Sequence, residues 1–158
     1  MGNPPVSKEW TIRPIGVVRS NVKTPADAPK QGTISGTEAE IVVDPAYAEA
    51  LDGLDERVGP PGIPAREDSL RRKSGKVIIL CWMHEADRNR RKVHPRDQED
   101  RPKRGVFSTR SPHRPNPISL HTVKLLSVRG NALRVRGMDA IDGTPVLDIK
   151  PHSPELDG

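Results

Sequence analysis

The chain contains few of the residues that cross-link small proteins or fill their cores with rings. Cys81 is the only cysteine among 158 residues, and Phe, Trp and Tyr together make up 3% of the sequence. One cysteine excludes an intrachain disulfide, which is typical of a reducing compartment, and Cys81-x-x-His84 has no second pair to complete a zinc site. We therefore expect no metal, and a core built from Val, Ile, Leu and Ala.

Long apolar segments are also missing. No run approaches the roughly 18 apolar residues that a membrane-spanning helix needs, and the N-terminal MGNPPVSKEW lacks the apolar region of a secretory signal peptide. These absences argue against helical membrane spans and predict a soluble, cytoplasmic protein. We predict that residues 1–9 form a flexible tail and that residues 155–158 form a second, short tail.

Proline and glycine, in contrast, are abundant. The 17 Pro and 13 Gly residues favour many turns and short strands over a helical bundle. Charged residues make up 30% of the chain, and the formal net charge is +5. This modest basic excess permits an anionic partner without identifying one.

The pattern of apolar residues predicts the fold class. Stretches with the alternation or β-branched content of strands cover residues 10–20, 37–43, 76–84, 118–130, 132–138 and 144–151. Asp44 and Pro45 suit the start of a helix, and Gly53 suits its end. No βαβ rhythm and no Gly-x-Gly-x-x-Gly motif indicates a Rossmann sheet. We predict an all-β protein, a small β-barrel over residues 10–154 with one short helix, long loops and an exposed insertion at 55–75.

The segment RGVFSTRSPHRPNPISL, residues 104–120, has unusually dense polar chemistry. Pro112, Pro115 and Pro117 fix φ and push the preceding residues toward extended geometry, so the loop is stiff before any ligand binds. Stiffness lowers the ordering cost of binding, and the segment therefore predicts a preformed site for a charged ligand. The alternative interpretation is a rigid surface loop whose arginines are solvated.

Two long motifs resemble those of a known family. The stretch GVFSTRSPHRPNPISL (105–120) is similar to the pattern G-V-F-A-T-R-S-P-x-R-P-N-P-I-G-L of the TrmO family, also called YaeB or TsaA-like, and GMDAIDGTPVLDIKPH (137–152) is similar to its G-x-D-x-x-D-G-T-P-V-L-D-I-K-P-Y. Three shorter stretches also resemble family segments, and all five occur in the family's order along the chain. They are IRPIGVVRS (12–20), APKQG (28–32) and CWMHE (81–85). The resemblance covers nearly the whole chain and is to the short, barrel-only members.

The resemblance implies an enzyme, an S-adenosylmethionine-dependent methyltransferase with a β-barrel, usually a homodimer with the cofactor site near the interface. The family's best-known activity is methylation of N6 of threonylcarbamoyladenosine at position 37 of tRNA, in the anticodon loop. Two alternatives stay open. One is a methyltransferase acting on another RNA or on a small molecule, and the other is a non-catalytic barrel that binds nucleic acid.

The family's cofactor positions correspond to separated stretches of this sequence. They are Pro29, Lys30, Gln31, His84, Glu85, Arg110, Leu120, Met138, Asp139, Ala140 and Ile141. Arg110 or Lys30 would hold the cofactor carboxylate, and Asp139 or Glu85 its ammonium group or ribose hydroxyls. Lys30 stands where the family usually has Arg, which replaces a two-pronged donor by a point charge.

Methylation of the acceptor nitrogen also releases a proton. Asp139, Asp142 and His84 are the candidate catalytic residues that would accept it, and the sequence does not choose among them. The alternative for Asp142 is a plain turn with Gly143, and for His84 a polar residue at the end of a strand.

Residues 86–104 carry eight Lys/Arg and four Asp/Glu, and they lead directly into the predicted site. Such a run is either a solvated loop or a track for RNA phosphates. The candidate RNA-binding residues are Arg90, Arg91, Lys92, Arg104, Arg114 and Asn116. Because aromatic residues are scarce, base recognition would depend largely on arginine planes.

Overall fold

The computed structural model describes residues 8–27, 36–58, 75–95 and 98–158. Its strands are β1 (Gly16–Arg19), β2 (Glu38–Val43), β3 (Lys76–Trp82), β4 (Lys92–Val93), β5 (Arg104–Gly105), β6 (Ile118–Arg129), β7 (Ala132–Arg136) and β8 (Pro145–Pro151). Six of them close into an antiparallel barrel in the order β1-β2-β7-β6-β3-β8, and β4 and β5 form a separate two-stranded ribbon. The predicted all-β barrel is confirmed.

The strands follow from alternating side chains. In β7 the side chains of Leu133 and Val135 are fully buried, while Arg134 and Arg136 face out and contact Glu38 of β2 at 2.6 and 2.7 Å. The core cluster of the described residues is aliphatic apart from Cys81 and Met138, and it contains no aromatic ring. Burial of these side chains is the main favourable term for such a fold, and the expectation of an aliphatic core is met.

The first strand is shorter than predicted. Residues 8–14 are exposed and outside the sheet, and β1 begins only at Gly16, because Pro14 has no N–H to donate to a neighbouring strand. A Cβ atom at Gly16 would collide with the carbonyl oxygen of Val42 on β2. The backbones of β1 and β2 therefore approach closely only because residue 16 is glycine.

The helical segments are short. Asp44 accepts a hydrogen bond from the N–H of Ala46 at 2.9 Å, which starts the predicted helix, but Pro45–Leu51 is a 3-10 helix. Gly53 has a φ of 78°, as expected of a chain stop. A further 3-10 turn spans Asp55–Arg57, and residues 59–74 of the predicted insertion lie outside the described residues. The predicted C-terminal tail contains a one-turn helix, α1 (Pro154–Asp157).

The antiparallel topology sorts the connections between two ends of the barrel. The described residues of connections β1–β2 (20–37), β3–β6 (83–117) and β7–β8 (137–144) start and finish at one end, which we call the mouth. Those of connections β2–β3 and β6–β7 start and finish at the other end. In the described parts of the chain, no helix has the length and apolar character to cross a bilayer.

The single cysteine gives a direct test of the core. Burial raises the pKa of the Cys81 thiol to about 12, so only about one thiol in ten thousand is ionised at pH 8. We predict that iodoacetamide leaves the native protein unmodified and alkylates it in concentrated guanidinium chloride, with mass spectrometry as the readout. Alkylation at the same rate in both conditions would contradict the placement of Cys81 in the barrel interior.

Candidate functional site

The β7–β8 connection forms one wall of the mouth. Met138 and Ala140 are buried, whereas Asp139 and Ile141 between and after them are partly exposed. The buried Ser20 hydroxyl donates to the carbonyl oxygen of Ala140 at 2.8 Å and ties this segment to the end of β1. Within the part of the chain that the structure describes, the backbone N–H groups of Met138, Ala140 and Ile141 have no protein acceptor. The segment is thus anchored while several of its donors stay open.

Asp142 holds two connections together. Its Oδ1 accepts the N–H of Ser20 at 3.0 Å, and its Oδ2 accepts the ammonium of Lys23 at 2.9 Å. The Lys23 hydrogen bond, followed by that of Ser20, lowers the pKa of the carboxyl group. Gly143 follows with a φ of 84°, as the turn requires. These contacts match the turn interpretation of Asp142 and leave its carboxylate with two structural partners.

Asp139 has a different partner, on β6. Its Oδ1 lies 3.3 Å from Nδ1 of His121, and Nε2 of His121 lies 2.9 Å from Oγ of Ser119. The His121 hydrogen bond lowers the pKa of Asp139 more than burial raises it. Ser119 and His121 were not singled out from the sequence. The available signal was their position, since they share the inward face of a strand whose next inward residues, Val123 and Leu125, are core.

The β3–β6 connection is held by its own polar groups. Nδ1 of His113 accepts the N–H of Asp87 at 3.0 Å, and Nε of Arg88 donates to the carbonyl of Pro115 at 2.8 Å. The Arg88 guanidinium also lies 5.2 Å from the centre of the Trp82 ring. These contacts join the stretch after β3 to the stretch before β6, so the proline-rich loop is fixed at both sides.

Arg114 and Arg110 differ in their surroundings. Nη2 of Arg114 donates to the carbonyl oxygens of Val106 and Thr109 at 2.7 and 2.9 Å, and its buried Nε has no partner among the described residues. Arg110 is exposed, and none of its donors has a protein acceptor in the described chain. Arg114 is therefore a loop clamp in this structure, and Arg110 is the guanidinium available to an anion.

The other predicted cofactor residues lie around the same end. His84 and Glu85 are exposed directly after β3, where the N–H of Met83 donates to the carbonyl of Pro117 at 2.8 Å. Leu120 is half-exposed and points to the outside of the barrel, because neighbours on a strand face opposite sides and His121 points inward. A single subunit therefore does not bring Leu120 and Asp139 to one surface. Pro29, Lys30 and Gln31 lie outside the described residues.

The candidate RNA-binding residues are only partly gathered. Arg90, Arg91, Lys92, Arg104 and Asn116 are exposed. Arg90 is paired with Asp87 at 3.3 Å, and Arg91 donates to the carbonyl of Arg88 at 3.0 Å. Lys92 pairs with Gly105 and Val93 with Arg104, so Lys92 and Arg104 face opposite sides of the β4–β5 ribbon. Across the described residues, no group of three His, Cys, Asp or Glu side chains is placed to hold a metal ion.

Comparisons with known proteins agree with this architecture. The family described as "tRNA-methyltransferase O N-terminal domain" matches residues 67–158. A probable S-adenosyl-L-methionine-binding protein of Methanothermobacter thermautotrophicus is 47% identical over 149 residues, which cover 94% of each chain. An S-adenosyl-L-methionine-binding protein of Archaeoglobus fulgidus is 43% identical over 146 residues, covering 92% of this chain and 91% of that one.

A solved structure extends the likeness to three dimensions. TrmO from P. aeruginosa matches with a TM-score of 0.71 and 30% identity, over 98% of this chain and 60% of that chain. Fold and mouth together define a class of small β-barrel proteins whose polar end is assembled from three connections. Within this class the chain belongs to the tRNA-methyltransferase O, or TrmO, family, as its two long motifs predicted.

The different roles of the two arginines lead to a stability prediction. Replacing Arg114 with Ala removes the donor to the carbonyl oxygen of Thr109 and one of three donors to that of Val106, a loss of roughly 1–3 kcal/mol, and should lower the thermal midpoint. Replacing Arg110 with Ala, the matched control, should leave the midpoint unchanged. Thermal unfolding followed by circular dichroism measures both, and equal midpoints for the two variants would show that Arg114 is not a clamp.

Proposed function

We propose that the mouth binds S-adenosylmethionine and that the protein transfers its methyl group to tRNA, at N6 of threonylcarbamoyladenosine in the anticodon loop. The observation that carries the proposal is topological. The connections that hold both long family motifs converge on one end of the barrel. These connections carry the exposed guanidinium of Arg110, the carboxylate of Asp139 and backbone N–H groups that have no acceptor among the described residues.

This set of groups fits the chemistry of the cofactor. Arg110 offers two parallel N–H donors to the cofactor carboxylate. Asp139 offers a partly exposed carboxylate to the cofactor's ammonium group or ribose hydroxyls. The open N–H groups of Met138, Ala140 and Ile141 suit the polar edge of adenine. When bound, the cofactor supplies a methyl group made electrophilic by its sulfonium. The protein's task is then to align that group with the acceptor nitrogen.

The contacts also divide the candidate proton acceptors. Both carboxylate oxygens of Asp142 already accept hydrogen bonds from the protein, which favours a structural role. Asp139 is a weak base because its hydrogen bond with His121 lowers its pKa. His84 is exposed at the edge of the mouth, and imidazole is the commonest side chain for accepting a proton near neutral pH. We therefore assign Asp139 to cofactor binding and His84 to the proton.

Cofactor binding is the first prediction. Arg110→Ala should weaken S-adenosylmethionine binding by roughly 10- to 100-fold, the value of a charge-assisted hydrogen bond to a carboxylate. Arg129→Ala removes an exposed arginine at the opposite end of the barrel and should not change the affinity. Isothermal titration calorimetry on the full chain measures both variants. Failure of the unaltered protein to bind would reject the proposed cofactor.

An exposed aromatic favours RNA as the acceptor. Phe107 is 83% exposed, and it sits on the 3-10 turn Val106–Ser108, whose Val106 is buried and held by Arg114. The anchored turn thus exposes the ring, and Arg104 and Arg110 lie on either side of it in the sequence. Single-stranded RNA bases stack on such rings, and nearby cations attract the phosphates.

Methyl transfer tests the acceptor. Incubation with methyl-labelled cofactor and bulk tRNA should place label in methylated threonylcarbamoyladenosine after nuclease digestion. Phe107→Ala should reduce transfer about tenfold, since stacking is worth roughly 1–3 kcal/mol per base. Tyr47→Ala, which removes an exposed aromatic at the far end, should not. Label in another nucleoside would point to another RNA, and no label in RNA despite cofactor binding would point to a small-molecule acceptor.

The outer face of β6 supports a homodimer. Ile118 and Leu120 are 37% and 50% exposed, and Leu80, paired with Leu120 on β3, is also partly exposed. A second copy seated on this apolar strip would cover it and bring Leu120 to a mouth that its own subunit does not reach. Dimers that share one surface in this way are the commonest protein assemblies.

Disruption of the strip should give monomers. Leu120→Glu places a charge in the proposed interface, and light scattering after size exclusion should then report a monomer at micromolar concentration. Leu156→Glu alters a leucine that is 87% exposed on α1 and serves as the matched control, which should remain dimeric. A monomer for the unaltered protein would refute the dimer.

A further inference from the structure

We propose that His121 is a positioning residue that fixes the Asp139 carboxylate at the barrel mouth for the bound cofactor. This inference rests on the proposed cofactor site and adds to it two residues, His121 and Ser119, that no family motif position assigned to binding. It begins from the inward face of β6. Val123 and Leu125 on this face are core residues, and toward the mouth they are replaced by His121 and Ser119.

Both ring nitrogens of His121 are engaged. Nδ1 lies 3.3 Å from Oδ1 of Asp139, and Nε2 lies 2.9 Å from Oγ of Ser119. Because a carboxylate only accepts, a ring that carries its proton on Nδ1 is the form that suits the contact with Asp139. The Ser119 hydroxyl can donate to a neutral ring or accept from a protonated one, so the ring keeps both partners in either charge state. The ring is also shielded, with its side chain 13% exposed.

The ring fixes one end of Asp139 and leaves the other end open. Among the described residues, no other side chain donates a hydrogen bond to this carboxylate, and it is 31% exposed. The neighbours Met138 and Ala140 are buried, which fixes the backbone on either side. A carboxylate held on one oxygen, on a fixed backbone and with one open side, is preorganised to accept a ligand donor.

The order Ser–His–Asp is also that of a nucleophilic triad, but the surroundings do not suit one. Ser119 lies within a strand, paired directly with Cys81, which is fully buried. A nucleophilic serine needs open approach for a carbonyl and N–H donors for the developing oxyanion. The bonds run instead from the barrel wall outward to the mouth, with the carboxylate at the accessible end.

A double-mutant cycle in cofactor affinity tests the role. His121→Ala and Asp139→Asn are each expected to weaken binding of S-adenosylhomocysteine, the stable product form of the cofactor, by about tenfold. The double variant should bind no more weakly than Asp139→Asn alone, because His121 acts through Asp139. His121→Asn, which restores an N–H donor, should recover part of the affinity. Titration calorimetry with each thermal midpoint recorded gives the readout.

Other outcomes overturn the inference. Multiplicative losses in the double variant would mean that His121 acts independently of Asp139, as a purely structural residue does. Unchanged affinity in His121→Ala would mean that Asp139 needs no positioning. If His121→Ala does not fold, His121→Gln replaces it in the same cycle with the same readings. Failure of the unaltered protein to bind S-adenosylhomocysteine would instead reject the cofactor site itself, which keeps the two failures apart.

Discussion

Closure of the barrel between β1 and β8 brings the start of the connection after β1 and the connection before β8 together at one end. The seam is short, with Gly16 opposite Val146 and Val17 opposite Pro145. It is extended beyond the strands by the N–H of Val18, which donates to the carbonyl of Thr144 at 2.9 Å, and by Asp142, which accepts from Ser20. An open sheet of the same strands would not hold the first and last connections together. The mouth is therefore a consequence of closure rather than of any single loop.

The two aspartates of the Asp-Ala-Ile-Asp motif have different roles in the closed barrel. Asp142 stabilises the contact between β1 and β8, because its partners Ser20 and Lys23 come from the connection after β1. Asp139 is used by the mouth, because its partner His121 comes from the neighbouring wall. Both carboxyl groups have lowered pKa values, from different donors. A lowered pKa is therefore common to two different roles, and the origin of the donors distinguishes them.

Much of the fold could be predicted from the sequence, because its strands have patterns that adjacent residues alone reveal. Alternation in β7 and the Asp44-Pro45 start are properties of adjacent residues, and both were found. The β4–β5 ribbon was missed because each of its strands has two residues, too few for any periodicity. The candidate site was predicted as a set of motif positions, and those assignments stay predictions. His121 was not predicted, because its partner lies beyond β7 and only the folded chain brings them together.

The roles of Arg110 and Arg114 also could not be separated from the sequence. They bear on whether the loop 104–120 is a preformed ligand site or a rigid surface loop with solvated arginines. Both arginines lie in the loop that follows the 3-10 turn Val106–Ser108, and the sequence alone does not distinguish their roles. Arg114 reaches the carbonyls of Val106 and Thr109, whereas Arg110 reaches no carbonyl among the residues that the structure describes. Most of the loop's polar groups hold the loop itself, through Arg114, His113 and the Ser111 and Thr109 hydroxyls. That internal bonding leaves Arg110 and Phe107 projecting from a backbone already ordered, so a ligand meets them at low entropic cost.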